Sequence, residues 1–151
     1  MSLIKKIQTA SRNTTTYQVG LLQIKAYRIL KQHTAGVLSQ FDITTVEWGL
    51  LGLLNENPKG MRLNVLAHEL GVAASFISQM TSRLKKTQYF EHREDPADSR
   101  AKIIMITKEG KMFVDKAERY LREASKSLLR DVPAKDILAY LSVLESIIKN
   151  A

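Results

Sequence analysis

His92-Arg93-Glu94-Asp95-Pro96-Ala97-Asp98-Ser99-Arg100-Ala101-Lys102-Ile103-Ile104-Met105-Ile106-Thr107 crowds Arg93, Glu94, Asp95, Asp98 and Arg100 against the mouth of an apolar run rich in β-branched residues. Residues 89–93 and 102–106 are both strand formers, and the polar segment Glu94–Ser99 between them holds a proline flanked by aspartates. Pro96 pre-sets a turn backbone and Asp side chains bond their own neighbouring amides, so the stretch is predicted to be a β-hairpin with a charged tip.

Working back from this hairpin, the hydrophobic period changes from 2 to 3.6. Ala74–Lys86 carries Ile77, Met80 and Leu84 at helical spacing. Before it lie Gly71-Val72-Ala73 and a short helix, Asn64–Leu70, with Asn64 expected as its cap and Gly71 as its stop. Two short helices around a three-residue step containing glycine form a helix-turn-helix. Upstream, Thr44–Leu54 reads as an apolar helix ended by Asn55–Gly60, and Thr14–Gln40 as a long one with Tyr17, Leu21, Ile24, Tyr27, Leu30 and Val37 on a stripe. Downstream, Thr107 opens a long helix bearing Phe113, Ala117, Tyr120, Leu121, Ala124 and Leu128, and a last helix runs from about Pro133. The fold class is mainly α with a small β-hairpin (α+β). Three stretches follow: an N-terminal helix over 1–41, a winged helix-turn-helix lobe over 42–107 and C-terminal helices over 108–151, in one compact chain.

A hairpin directly after such a helix is a wing, which reaches phosphates or the minor groove beside the major groove that the helix occupies. In Asp98-Ser99-Arg100 the carboxylate can hold the guanidinium in one orientation, ready for a narrow, A·T-rich minor groove. The same residues also suit a surface ion pair in a turn, worth about 0–1 kcal/mol. The hairpin tip alone leaves both readings open.

Composition narrows the class. The formal net charge is +8 over 151 residues, which favours a polyanionic partner. Its placement is uneven: up to Phe41 the chain has Lys5, Lys6, Arg12, Lys25, Arg28 and Lys31 and no acid, whereas Arg62–Lys102 sets seven bases against five acids. With no cysteine, thiolate metal sites, disulfides and thiol chemistry are excluded for the chain. No run of ~18–20 apolar residues and no secretory leader is present, which suggests the cytoplasm. No nucleophile elbow, phosphate-cradling glycine loop or His-Glu-x-x-His occurs, so no enzyme is expected. Asp95 and Asp98 are near one another, but a hairpin tip is a poor place to raise a carboxyl pKa.

Residues 83–111 resemble the MarR family of winged-helix transcriptional regulators. Arg83, Leu84, Lys86, Arg93, Asp95, Pro96, Asp98, Arg100, Thr107 and Gly110 fall on the family's pattern, with Trp48 and Leu51 in familiar places upstream. The resemblance implies a homodimer in which the first helix and the last two interleave while the lobes project toward a pseudo-palindromic operator. It implies a repressor with no cofactor, released by a small phenolic or anionic effector lodged near Tyr27, His33, Trp48 and Arg93. Two departures stand out: Gln88 occupies the usual glycine, requiring either a positive φ or a rebuilt turn, and Ala73 replaces the usual Ser or Thr cap, so that Ser75 could shift the helix start.

For base reading, the second helix presents Ser75, Phe76, Ser78, Gln79 and Arg83 opposite its apolar side. Gln can grip adenine and Arg guanine, and Phe76 can meet a thymine methyl. Ser75, Ser78, Arg62, Lys85 and Lys86 are phosphate candidates. His33, His68 and His92 lie in separate elements without metal-ligand spacing, so no metal is expected. The competing function is a winged-helix protein-interaction module without specific DNA binding.

Overall fold

A computed structural model describes residues 15–151, with only the backbone of Ser99 and Arg100. Helix α1 (Thr16–Leu38) begins at a capping box, in which the Gln18 side chain accepts the Thr15 N–H at 2.9 Å while the Thr15 hydroxyl accepts the Gln18 N–H. A single 3₁₀ turn, Ser39–Phe41, and a left-handed Asp42 swing the chain into α2 (Thr45–Glu56), opened by a second capping box between Thr44 and Glu47. Then follow β1 (Met61–Arg62), α3 (Leu63–Leu70), α4 (Ala74–Leu84), β2 (Phe90–Asp95), β3 (Asp98–Ile106), α5 (Lys108–Leu128) and α6 (Ala134–Asn150). The strands form one antiparallel sheet in the order β1-β3-β2.

Several local expectations are corrected. Residues 61–62 form a strand against Ile103 and Ile104, unforeseen because two residues are too few to show an alternation. Arg62, not Asn64, occupies the N-cap of α3 and makes no side-chain cap bond; strand pairing delivers the chain into the helix two residues early. Ala73 remains the uncapped N-cap of α4, so Ser75 does not move the helix start. The hairpin is longer than its strand formers suggested, because the Asp95 carboxylate accepts the Ala97 N–H at 2.8 Å and closes the turn around Pro96-Ala97. Gln88 keeps the left-handed turn with φ +57°, and its carbonyl accepts the Thr107 hydroxyl at 2.6 Å. That hydroxyl also accepts the Gly110 N–H at 3.0 Å and so caps α5.

The core is centred on residues 42–107 and takes in the end of α1 and the first half of α5. Leu38 of α1, Leu50, Leu51 and Leu54 of α2, Leu66 of α3, Ile104 of β3 and Ala117 of α5 are all buried, and α4 contributes the expected Ile77, Met80 and Leu84. Gly110 lets α5 close on the root of the wing: a Cβ there would sit 2.1 Å from the Tyr89 carbonyl oxygen. Along most of α1 and all of α6 the picture reverses. Among the described residues α6 has no buried residue and α1 buries only Val37 and Leu38. Tyr17, Leu21, Ile24, Tyr27 and Leu30 of the α1 stripe are exposed, as are Leu138, Leu141, Val143 and Ile148 of α6. Among the described residues no helix is long and apolar enough to cross a membrane.

Candidate nucleic-acid interface

Helix α4 has two sharply different sides. Ile77, Met80, Thr81 and Leu84 are buried, whereas Ser75, Phe76, Ser78, Gln79 and Arg83 are exposed, with Lys86 exposed in the turn beyond. The buried Thr81 hydroxyl is satisfied by donating to the Ser78 carbonyl at 3.0 Å. The Ser78 hydroxyl bonds the Ala74 carbonyl at 3.3 Å. Phe76, Gln79, Met80 and Arg83 line a shallow cleft with Glu47 of α2 and its N-cap Thr44.

Arg83 faces outward as expected, yet much of its fork is committed within the protein. Its Nε donates to Glu47 Oε1 at 2.7 Å and its Nη2 to Glu47 Oε2. Its Nη1 lies 3.9 Å from the Asp42 carboxylate. Glu47 is 2% exposed. Burial pushes its carboxyl pKa up, but the bonds from Arg83, from the Thr44 N–H and from the Thr44 hydroxyl outweigh burial and hold it below the usual range. The same hydrogen bond raises the Arg83 pKa. The Thr44-x-x-Glu47 spacing is a capping-box signature that the sequence reading did not use; the second task of Glu47, anchoring α4, depends on a residue 36 positions away and left no local signal.

At the wing, Arg62 forms an ion pair with Asp95. Arg62 Nε donates to Asp95 Oδ2 at 2.5 Å, tying β1 to the bend of the hairpin, and the Asp95 side chain is 10% exposed. The Ala97 N–H first, and then Arg62, keep the Asp95 pKa below its ordinary value. Asp98 opens β3 and is exposed. The side chain of Arg100 lies outside the described residues, so its pairing with Asp98 rests on the sequence alone.

The four expected effector-pocket residues sit on three elements: Tyr27 and His33 on α1, Trp48 on α2 and Arg93 on β2. Tyr27 lines a depression with Leu30, Lys31 and Thr34 of α1, Thr45 and Val46 of α2, and Leu70. His33 is half-buried, with a buried Nε2 that has no hydrogen-bond partner among the described residues. Trp48 packs against the core. Arg93 stands on the wing, 2.5 Å from Glu91 and largely exposed. Among the described residues no group of three or more His, Asp or Glu is placed to hold a metal ion.

No family model matches the chain. Among curated proteins it resembles YhbI of Bacillus subtilis (strain 168), an uncharacterized HTH-type transcriptional regulator, with 30% identity over 91 residues. That match covers 60% of this chain and 58% of YhbI, less than two thirds of the relative's length. Among solved structures, a MarR-family transcriptional regulator from Rhodococcus sp. RHA1 superimposes with a TM-score of 0.79 at 20% identity, covering 89% of this chain and 96% of that one. CouR from Rhodococcus jostii RHA1, bound to p-coumaroyl-CoA, gives 0.76 at 22% identity over 85% of this chain and 90% of its own. The repressor CouR on a 23-mer DNA duplex gives 0.74 at 22% identity over 85% and 91%. The fold of this chain is that of the MarR family of transcriptional regulators.

Proposed function

We propose that the chain is a sequence-specific double-stranded DNA-binding regulator, a cytoplasmic binding protein rather than an enzyme, that grips a pseudo-palindromic operator as a homodimer and represses by occupying it. The observation that carries this reading is the exposed row Ser75, Phe76, Ser78 and Gln79 on α4, set beside a charged wing. CouR, of the same fold, is a repressor bound to a DNA duplex. In this reading α4 enters the major groove, Gln79 grips adenine and Phe76 meets a thymine methyl. Ser75, Ser78 and Lys86 hold phosphates. Arg83 reaches guanine only with the donors that Glu47 leaves free, and otherwise fixes the angle of α4. Asp98 orients Arg100 toward the minor groove. The chain divides by role into dimerising segments over 1–41, of which 1–14 lie outside the described residues, and over 108–151, around the lobe at 42–107. A small anionic or phenolic effector, seated in the depression at Tyr27, releases the operator by favouring a dimer with a different spacing of its two α4 helices.

The test is duplex binding across a salt series. Several phosphate contacts give a log–log slope of about −0.9 per contact, and this is the expected result. Absence of duplex affinity at low salt would instead favour a protein-interaction module.

A further inference from the structure

Resting on the DNA-binding reading, a second contact surface emerges at the joint between α4 and the wing. In the hairpin register His92 pairs with Ile104 and Glu94 with Lys102, which makes His92 and Lys102 diagonal neighbours on one face of the sheet. Lys85 in the turn leaving α4 brings a second ammonium charge to bear on the imidazole, and the Phe90 ring meets it edge-on with centroids 5.8 Å apart. Lys85, His92 and Lys102 are all exposed. Glu94, two residues along the same face, is the acid nearest in register. Glu91 and Arg93 alternate onto the opposite face and pair with each other at 2.5 Å.

When a recognition helix fills a major groove and its wing the adjacent minor groove, the phosphodiester strand dividing the grooves passes over the crease between helix and wing. We propose that Lys85, His92 and Lys102 form a phosphate site in this crease and that filling it protonates His92. In the free protein, partial desolvation of the imidazole and the charges of Lys102 and Lys85 depress the His92 pKa, so the imidazole is neutral near pH 7. A phosphate reverses the local potential and draws in the proton. The sign differs for folding: below the ordinary histidine pKa the unfolded chain binds the proton more readily than the folded one, so acid costs stability while it strengthens DNA binding.

The experiment titrates a random-sequence duplex of about two helical turns at fixed ionic strength from pH 8 to pH 6, with the full-length protein and with His92→Gln and His92→Lys. Wild-type affinity should rise as pH falls, by roughly tenfold for each unit by which phosphate raises the His92 pKa. His92→Gln should bind weakly with a flat profile, and His92→Lys tightly with a flat profile. A wild-type slope retained in His92→Gln, or duplex binding by the wild type without any slope, would overturn the phosphate site and leave the DNA reading intact. No duplex affinity in any of the three at any pH would overturn both.

Discussion

A carboxylate as buried as Glu47 is stable in the fold only because Arg83 and Thr44 meet both of its oxygens. Removing Arg83 leaves the charge desolvated and partly unpaired. A fully buried pair broken in this way costs about 3–5 kcal/mol; with the Arg83 side chain 46% exposed, about 2 kcal/mol is expected for Arg83→Ala. The pH dependence has a definite sign. In the wild type the Glu47 pKa is lowered, so its contribution is present above the ordinary Glu value and is lost as pH falls through the folded one. In Arg83→Ala burial dominates and raises that pKa, so the deficit is largest at neutral pH and shrinks in acid. Urea unfolding of both proteins at pH 7 and pH 4 measures this, and a deficit independent of pH would contradict it. At this scale the sequence was half legible: the exposed row on α4 followed from spacing alone, but Arg83 as the partner of Glu47 and Arg62 as the partner of Asp95 are contacts across 36 and 33 residues, which no local pattern records.

Among the elements, the joint between α4 and β2 sets where the wing stands relative to the recognition helix. The chain makes this joint with a 3₁₀ turn, Lys85–Thr87, and Gln88 in the left-handed region at φ +57°. That conformation costs a residue with a Cβ about 1–2 kcal/mol, and glycine returns part of the gain through its larger unfolded-state entropy. Gln88→Gly is therefore expected to stabilise the fold by about 0.5–1 kcal/mol, read as a higher urea midpoint with an unchanged m-value. A lower midpoint would show that the Gln88 side chain holds the turn. The helices and the hairpin were legible because each has a long period or a strong turn signal. Strand β1 was not, since it exists only by pairing with Ile103 and Ile104, and its presence displaced the expected Asn64 cap.

For the molecule as a whole, the decisive feature is apolar surface that no contact among the described residues buries. Leu21, Ile24, Leu30, Leu138, Leu141 and Ile148 are exposed on helices that contribute little to the core, and large obligate interfaces have this apolar character. The stripes themselves were readable as periodicity; what the sequence lacked was any means of telling a face buried by its own lobe from one left for a second copy. In the proposed homodimer, covering α1 and α6 between two chains would relate two α4 helices by a twofold axis, so protein symmetry should be written into the DNA. The direct measurement is a footprint on a genomic fragment that the protein itself selects. We expect two protected major grooves with centres about 10–10.5 base pairs apart, or a multiple of that spacing, flanked by protected minor grooves. Failure to enrich any fragment over random DNA, or protection of one isolated half-site, would contradict the account.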